Sequence, residues 1–291
     1  MKISATFALA ILIGSFLYPQ STRAASVTLT PITGLGRLHG INLANQVAGY
    51  TLSGDDVEAF VYEKGTITSI DIPGSSESAV YGIENNGRVV GSYNAKTAQG
   101  NVATHGFLYF HGDVTTIDYP GADATVAHGI NDPQRIVGYY RPTSSGHYSG
   151  FFYDKKNFTS FDGPSAVNTY AMGINNPGDI VGYYTSRGND GEYHDHGFLY
   201  DKKGNLTTID AAFPLANVKD TQCYGINSSG IIVGTYIDDA GTHGFVDIGG
   251  VFLSVDAPGT PPGVGTFIQG INDNGQLTVF GTTAFLGNIV Q

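Results

Sequence analysis

The sequence contains very little cysteine, which excludes one common way of stabilising an exported domain. Cys223 is the only cysteine among the 291 residues, so no disulfide can form within the chain. The fold must therefore be held together by packing. A lone thiol of this kind is more typical of a small packed residue than of a nucleophile.

Basic residues are also scarce. The chain has 14 Lys and Arg residues against 25 Asp and Glu residues, a formal net charge of -11. Without Lys2 and Arg23, which lie in an N-terminal segment described below, the balance becomes 12 against 25, or -13. Such a surface repels phosphate backbones and anionic lipid, so we expect no nucleic-acid partner and no attachment to anionic membranes.

Long apolar runs and helical periodicity are missing from most of the chain. After the N-terminal segment, no apolar stretch is long enough to span a bilayer, and no apolar period of 3.6 residues persists. The sequence also has no GxSxG, HExxH, P-loop, dinucleotide-binding or calcium-loop motif. It predicts no helices, no cofactor and no membrane span after cleavage, and it leaves the catalytic residues unknown.

Residues 1–24 have the three parts of a signal peptide. Lys2 supplies a positive start, residues 3–17 are apolar, and Thr22, Arg23 and Ala24 form a small-x-small cleavage site. We therefore expect a secreted or periplasmic protein whose single domain covers residues 25–291.

A dozen residues recur six times along the rest of the chain. The copies are GINLANQVAGYT from Gly40, GIENNGRVVGSY from Gly82, GINDPQRIVGYY from Gly129, GINNPGDIVGYY from Gly173, GINSSGIIVGTY from Gly225 and GINDNGQLTVFG from Gly270. Their spacing of 42 to 52 residues is typical of propeller blades. An HGFLY-like and a TTID-like motif follow most copies, so each period predicts four short strands, here called a to d, with tight a–b and c–d turns.

The two ends of the chain predict how the ring closes. The last copy stops after strand c, whereas VTLTPITG, from Val27, resembles a missing strand d. The predicted fold is therefore an all-β, six-bladed β-propeller of four-stranded antiparallel blades, closed by the N-terminal strand completing the last blade.

The HGF tripeptides resemble those of the bacterial extracellular family named HAF after a His-Ala-Phe-like motif. They are His105-Gly106-Phe107, His196-Gly197-Phe198 and His243-Gly244-Phe245, whereas Glu58, Ser149 and Thr283 replace the histidine in other copies. The resemblance covers nearly the whole chain after residue 24. It implies a secreted repeat protein and brings no established reaction.

Residues that recur in every repeat are interpreted as structural. The repeat glycines allow strands to approach closely, and the phenylalanine of each HGF-like motif is expected in the core. The HGF histidines sit at equivalent places in different repeats, so we expect hydrogen bonds, with the TTID carboxylates among the candidate partners, and no metal site.

Function is expected where the repeats differ, on the face that carries the variable b–c and d–a loops. One residue per repeat precedes each GIN motif and is expected at the channel mouth; the set is His39, Tyr81, His128, Met172, Tyr224 and Gln269. The loops also carry the densest charged cluster, which comprises Arg141, Arg187, Glu192, His194, Asp195, Lys219 and Asp220. The residues expected to bind a ligand are His39, Tyr81, His128, Tyr224 and Gln269 at the mouth and Arg141, Arg187 and His194 on the loops.

Three functions remain open from the sequence. The first is a binding or interaction module, expected to be a monomer, that recognises an extracellular glycan or protein through its loop-rich face. The second is a carbohydrate-active enzyme, a lyase or hydrolase, with His39 or His128 as base and Arg187 or Tyr224 as its partner. The third is a structural component of the cell surface or matrix. Propellers serve all three kinds of role.

Overall fold

Short β-strands joined by tight turns make up the described chain. The computed structural model describes residues 25–53, 56–97, 100–143, 146–261 and 263–290. The predicted signal peptide, residues 1–24, lies outside them. Within these ranges there is no helix of any kind, and so none with the length and apolar character needed to cross a bilayer.

The strands follow the sequence repeat. In chain order they are β1 (Ser26–Ile32), β2 (Arg37–Ile41), β3 (Val47–Ser53), β4 (Asp56–Glu63), β5 (Thr66–Ser69), β6 (Glu77–Ile83), β7 (Val89–Lys96), β8 (Val102–Phe110), β9 (Asp113–Thr116), β10 (Ala124–Ile130), β11 (Ile136–Arg141), β12 (Ser149–Asp154), β13 (Asn157–Phe161), β14 (Asn168–Ile174), β15 (Ile180–Arg187), β16 (Tyr193–Tyr200), β17 (Leu206–Ile209), β18 (Asp220–Ile226), β19 (Ile232–Ile237), β20 (Thr242–Ile248), β21 (Val251–Val255), β22 (Phe267–Ile271), β23 (Gln276–Phe280) and β24 (Ala284–Val290). The first repeat is β2–β5, the second β6–β9, the third β10–β13, the fourth β14–β17, the fifth β18–β21, and the sixth β22–β24.

The all-β class and the propeller fold are confirmed, but the prediction of six separate four-stranded blades is wrong. Four sheets are four-stranded, whereas β6 to β13 form one eight-stranded sheet. The junction is a parallel pair between Ala124 of β10 and Thr104 of β8. Strand β9 pairs only with the last four residues of β8, which leaves the start of β8 as an open edge that β10 reaches.

In two other repeats, a side chain bonds to the backbone at this place. In the fifth repeat, Asp220 occupies the position of Ala124, and its Oδ1 accepts a hydrogen bond of 2.8 Å from the Asp195 N–H of the fourth repeat. In the fourth repeat, Asn168 does the same for the Tyr148 N–H at 2.9 Å. Alanine has no such acceptor, and here the backbone of Ala124 pairs with Thr104 instead.

The N-terminal strand completes the sheet of the sixth repeat. Strand β1 pairs antiparallel with β24, from Ser26 opposite Val290 to Ile32 opposite Ala284. This is the pairing expected from the two chain ends. It covers the edge of β24 with seven residues of backbone partner.

The a strands of all repeats stand around the axis and approach closely at the GIN glycine. A Cβ added to Gly129 would lie 2.8 Å from the Met172 carbonyl oxygen, and one added to Gly173 would lie 2.7 Å from that of Tyr224. Real side chains do not tolerate such contacts with backbone. The interpretation of these glycines as packing residues is confirmed.

The asparagine after each GIN isoleucine links one repeat to the next. Asn131 Nδ2 donates to the Asn175 carbonyl at 2.9 Å, and Asn272 Nδ2 donates to the Asn42 carbonyl at 2.9 Å, which joins the last repeat to the first. Asn42, Asn175 and Asn227 make the corresponding bonds at 3.2 to 3.4 Å. We call these five residues the asparagine belt; Glu84 takes the sixth position and instead accepts from the Arg88 N–H at 2.9 Å.

The HGF phenylalanines fill the space between strands, as predicted. Phe107, Phe151, Phe198 and Phe245 are fully buried, and Phe60 and Phe285 nearly so. In the first to fifth repeats, the phenylalanine ring packs against a strand b glycine; the Phe151 ring, for example, would lie 2.9 Å from a Cβ at Gly138. Ring and glycine therefore fit one another.

The asparagine belt can be tested at Asn175. Replacing it with alanine removes the donor to the Asn227 carbonyl and the Oδ1 acceptor of the Asp179 N–H. Because these groups are buried, we expect the free energy of unfolding to fall by about 2 kcal/mol or more. Asn205→Ala is the control, since Asn205 is exposed and bonds only within its own turn; its change should stay within about 0.5 kcal/mol. If denaturant titrations showed the same loss of unfolding free energy in Asn175→Ala and Asn205→Ala, the asparagine belt would not be a special source of stability.

Candidate functional site

A β-bulge in each inner strand determines which side chains reach the channel mouth. The strand register shifts at the residue before the GIN glycine, for example between Ala127 and Gly129 and between Val80 and Gly82. A bulge re-aims the side chain of the extra residue. The bulged residues include the set predicted for the mouth, and Tyr81, His128, Met172, Tyr224 and Gln269 line one cavity there.

Three of these residues pack against one another. Tyr81 and His128 stack with ring centroids 4.7 Å apart, and His39 meets the edge of Tyr81 at 5.1 Å and of His128 at 5.9 Å. His39 and His128 are buried, at 9% and 6% exposure. The structure therefore brings His39, Tyr81 and His128 into one contact group.

The cavity that this ring encloses is small. Its volume is about 80 Å³, and the cavity at the opposite end of the axis, beside the asparagine belt, has about 70 Å³. Ligand pockets usually measure about 300 to 1,000 Å³. These axial spaces suit a few water molecules, so the mouth residues close the channel against a sugar or peptide.

Both mouth histidines are neutral at pH 7. Burial lowers the pKa of His128 to about 4, although its hydrogen bond to the Met172 carbonyl acts in the opposite direction. Burial also holds the pKa of His39 well below its usual value, and the neighbouring His128 and Arg37 lower it further. His128 donates from Nδ1 to Met172 at 2.8 Å, whereas His39 Nδ1 has no hydrogen-bond partner among the described residues.

A larger pocket opens on the same face, beside the mouth. Its volume is about 380 Å³, within the range of small-molecule sites. We call it the tyrosine pocket; its aromatic residues are Tyr50, Tyr81, Tyr93, Tyr139 and Tyr148, its polar ones are Glu77, Ser78, Ser92, Asn94 and Thr104, and Leu52, Val57, Ala79, Ala124 and Val126 complete it.

The pocket walls are held in place by neighbouring repeats. Tyr148 lies in the b–c loop of the third repeat, and its N–H and carbonyl bond to Asn168 and Thr169 of the fourth repeat at 2.9 and 2.8 Å. Its ring meets the edge of Tyr139 at 5.5 Å. The loop therefore presents Tyr148 in a fixed position rather than as a free side chain.

A chain of hydrogen bonds orders the polar wall. Thr104 Oγ1 donates to Asn94 Oδ1 at 2.9 Å, and Asn94 Nδ2 donates to Glu77 Oε2 at 2.8 Å. On the inner side, the Tyr81 hydroxyl lies 3.4 Å from Ser92 Oγ. The Glu77 carboxylate is thus oriented by its neighbours.

Further tyrosines continue the aromatic surface across the mouth. Tyr170 meets Tyr139 at 4.9 Å and stacks on Tyr183 at 4.8 Å, and Tyr183 meets Tyr224 at 6.2 Å. Burial raises the pKa of Tyr139, Tyr183 and Tyr224, and that of Tyr170 to about 12. These hydroxyls keep their protons near neutral pH and act as hydrogen-bonding groups.

The charged group predicted on the loops is divided into local pairs. Arg141 binds Asp123 at 3.1 Å and lies over the Tyr148 ring, 5.4 Å from its centroid, so it stands beside the tyrosine pocket. Arg187 donates to the Gly191 carbonyl at 2.9 Å. His194 lies 2.9 Å from Asp190, which raises the His194 pKa. Lys219 pairs with Asp239 at 2.6 Å.

The HGF histidines are each paired within their own repeat. Nδ1 of His105, His196 and His243 lies 2.7, 3.0 and 2.8 Å from Asp118, Asp210 and Asp256. They are partly exposed rather than buried. Across the described ranges, no group of three or more His, Cys, Asp or Glu residues has the geometry to hold a metal ion.

Sequence reasoning missed most of the tyrosine pocket, including Tyr50, Glu77, Asn94, Tyr139 and Tyr148. A signal was nevertheless present. The position that follows the strand b glycine varies between repeats as strongly as the position before GIN; its residues are Tyr50, Ser92, Tyr139, Tyr183, Thr235 and Phe280. Four of these six are aromatic, and Tyr50, Ser92 and Tyr139 line the pocket.

Fold and site together define a β-propeller protein with an aromatic pocket on one face. The chain belongs to the family described as protein of unknown function (DUF3466), whose sequence profile matches residues 62–209. This is not the HAF-type family that the HGF motifs resemble, so that resemblance stays a prediction. No curated protein matches the sequence.

Solved structures show the same kind of fold at low sequence identity. Virginiamycin B lyase from Staphylococcus aureus is 10% identical, with 92% of this chain and 99% of that chain covered and a TM-score of 0.50. A gluconolactonase from Xanthomonas campestris is 12% identical, with 91% and 90% covered and a TM-score of 0.52. TolB from Acinetobacter baumannii is 11% identical, with 84% and 64% covered and a TM-score of 0.54. At these identities the likeness concerns the fold alone.

The buried state of His128 makes stability depend on pH. Its native pKa of about 4 lies below the ordinary 6.5, so the unfolded chain binds the proton first as pH falls. We expect about 3 kcal/mol of the free energy of unfolding at neutral pH to be lost between pH ~6.5 and ~4. Histidine NMR titration measures the pKa directly, and His128→Gln should flatten the slope of unfolding free energy across this window.

His111→Asn serves as the control, because His111 is exposed and has a positive φ of 50° that asparagine tolerates. The His111→Asn variant should show the same slope of unfolding free energy against pH as the parent protein. An NMR pKa for His128 near 6.5, or parallel slopes in parent and His128→Gln, would show that this imidazole is not buried in its neutral form.

Proposed function

We propose that the protein is an exported glycan-binding protein that holds a sugar in the tyrosine pocket. The observation that carries this proposal is the pocket itself: about 380 Å³ lined by five tyrosines and an ordered polar wall. Sugar rings have apolar faces that pack on aromatic rings, and hydroxyl edges that bond to carboxylate, amide and hydroxyl groups.

The setting of the pocket supports the same proposal. Its walls come from three repeats and the Tyr148 loop is bonded to a fourth, so little order is lost when a ligand binds. Ring contacts from Tyr139 through Tyr170 to Tyr183 support the pocket wall from the side of the fourth repeat. The features of a signal peptide in residues 1–24 fit a role in the periplasm or outside the cell, where such ligands occur, and we propose that the protein acts there as a monomer.

An enzyme with its base at the channel mouth has less support. A pKa of about 4 makes His128 a weak base at neutral pH, and burial raises the pKa of Tyr224, which makes it a poor acid. Arg187 bonds within its own loop. The alternative remains testable, because a lyase or hydrolase would release products from the glycan that it binds.

A glycan array followed by calorimetry tests the proposal. We expect binding of at least one class of neutral or charged oligosaccharide, and a loss of affinity of about tenfold in Tyr148→Ala, because one stacking face is removed. Tyr193→Ala is the matched control: Tyr193 is 59% exposed at the start of β16 and lies outside the pocket, so its loss should leave affinity unchanged. The same samples are assayed for product release.

Two results would count against this function. One is the absence of binding to every glycan tested by a folded protein. The other is binding that Tyr148→Ala and Tyr193→Ala weaken equally, which would place the ligand elsewhere on the loop-rich face. Binding accompanied by glycan cleavage would replace the binding role with the enzymatic one.

A further inference from the structure

The tyrosine pocket contains one charged residue, and that residue is free to meet a ligand. Glu77 is the only Asp, Glu, Lys, Arg or His among the described residues that line it. Its Oε2 accepts from Asn94 Nδ2, and among the described residues its carboxylate joins no ion pair and no other hydrogen bond. The pocket therefore contains one carboxylate that no described basic side chain pairs with.

The side chain of Glu77 is placed differently from those of the polar residues at the same position in two other repeats. Asn168 and Asp220 occupy the equivalent places in the fourth and fifth repeats, and both side chains bond to a backbone N–H of the preceding repeat. The corresponding N–H for Glu77 would be that of Val57, and no such bond forms in the described chain. Glu77 instead accepts from Asn94 on the pocket wall, so its carboxylate lies in the pocket rather than at the boundary between repeats.

The other charges around the pocket favour a cationic ligand. Arg141, the basic residue beside the Tyr148 ring, is already paired with Asp123 at 3.1 Å. The chain as a whole has a net charge of -11, which attracts cations and repels anions over distances of about 10 Å. The faces of the pocket tyrosines add cation–π attraction for an ammonium group.

We propose that the ligand of this pocket is an amino sugar carrying a free ammonium group, such as a glucosamine unit of a deacetylated glycan, with the ammonium bound by Glu77 and the ring lying against tyrosine. This inference rests on the proposed glycan-binding function and specifies its ligand class. Acetylated amino sugars lack the charge, and uronic acids carry the opposite one.

Three oligosaccharides of equal length test the inference at pH about 6, where the amine is protonated and His128, with its pKa of about 4, stays neutral. They are a glucosamine oligomer, its fully N-acetylated form and a galacturonic acid oligomer. We expect the glucosamine oligomer to bind about tenfold more tightly than the acetylated one, and the uronate not to bind. The preference should weaken with added salt, since it is electrostatic.

Matched variants separate the pocket charge from the charge of the whole protein. Glu77→Gln keeps an oxygen for Asn94 and removes the charge, so the glucosamine preference should disappear while binding of the acetylated oligomer is retained. Glu192→Gln removes the same charge from an exposed position on the same face and should preserve the preference. Thermal unfolding of each variant shows that the fold is intact.

The outcomes distinguish this inference from the function on which it rests. Equal binding of the glucosamine and acetylated oligomers, or equal effects of Glu77→Gln and Glu192→Gln, would overturn the amino-sugar assignment and leave glycan binding standing. Binding of the uronate that is lost in Arg141→Gln would overturn it in favour of an anionic ligand. No binding of any oligosaccharide, here or on the array, would reject the glycan function and this inference together.

Discussion

The close approach of the inner strands is the constraint on which the rest of the structure depends. At Gly129 and Gly173 there is no room for a Cβ between one strand and the next, and the asparagine belt then joins the repeats through buried hydrogen bonds, including the link from Asn272 to Asn42 that closes the ring. Since each unpaired buried amide or carbonyl would cost about 1–3 kcal/mol, these positions have little freedom to vary. Chemical differences between the repeats must arise elsewhere.

Sequence variation between the repeats is found at the bulge next to each glycine. The bulge turns a single residue per repeat toward the axis, and this residue is a histidine, a tyrosine, a methionine or a glutamine. The strand b position after the glycine, which pairs with the residue two before the bulged one in the second and third repeats, varies in the same way. Two sets of variable side chains therefore stand beside one ring of repeated glycines. At Tyr50, Tyr81 and Tyr139 these sets form a pocket, whereas at His39 and His128 they close the channel. The bulge in the inner strand therefore contributes both to the closed channel mouth and to the tyrosine pocket.

The sequence predicted the features that repeat and missed those that depend on a single side chain. The period, the GIN glycines and the match between Val27 and a missing strand d were sufficient to predict an all-β propeller fold and the pairing of β1 with β24. The eight-stranded sheet was not foreseeable from the period, because it depends on one local backbone pair, between Ala124 and Thr104, that the repeat pattern does not mark. The pocket was missed for a related reason: Tyr148 enters it through a loop whose path is fixed by Asn168, a residue of the next repeat.

Burial determines what kind of chemistry this face supports. It lowers the pKa of His39 and His128 and raises that of Tyr81, Tyr139 and Tyr224, so each group is neutral near pH 7 and far from the value that makes an effective acid or base there. An array of neutral, rigid aromatic and hydroxyl groups is better suited to recognition by shape, stacking and hydrogen bonding than to proton transfer. Against such a background, the ligand preference that we propose depends on one carboxylate, oriented by Asn94, because Glu77 is the only charged residue among the described residues that line the pocket.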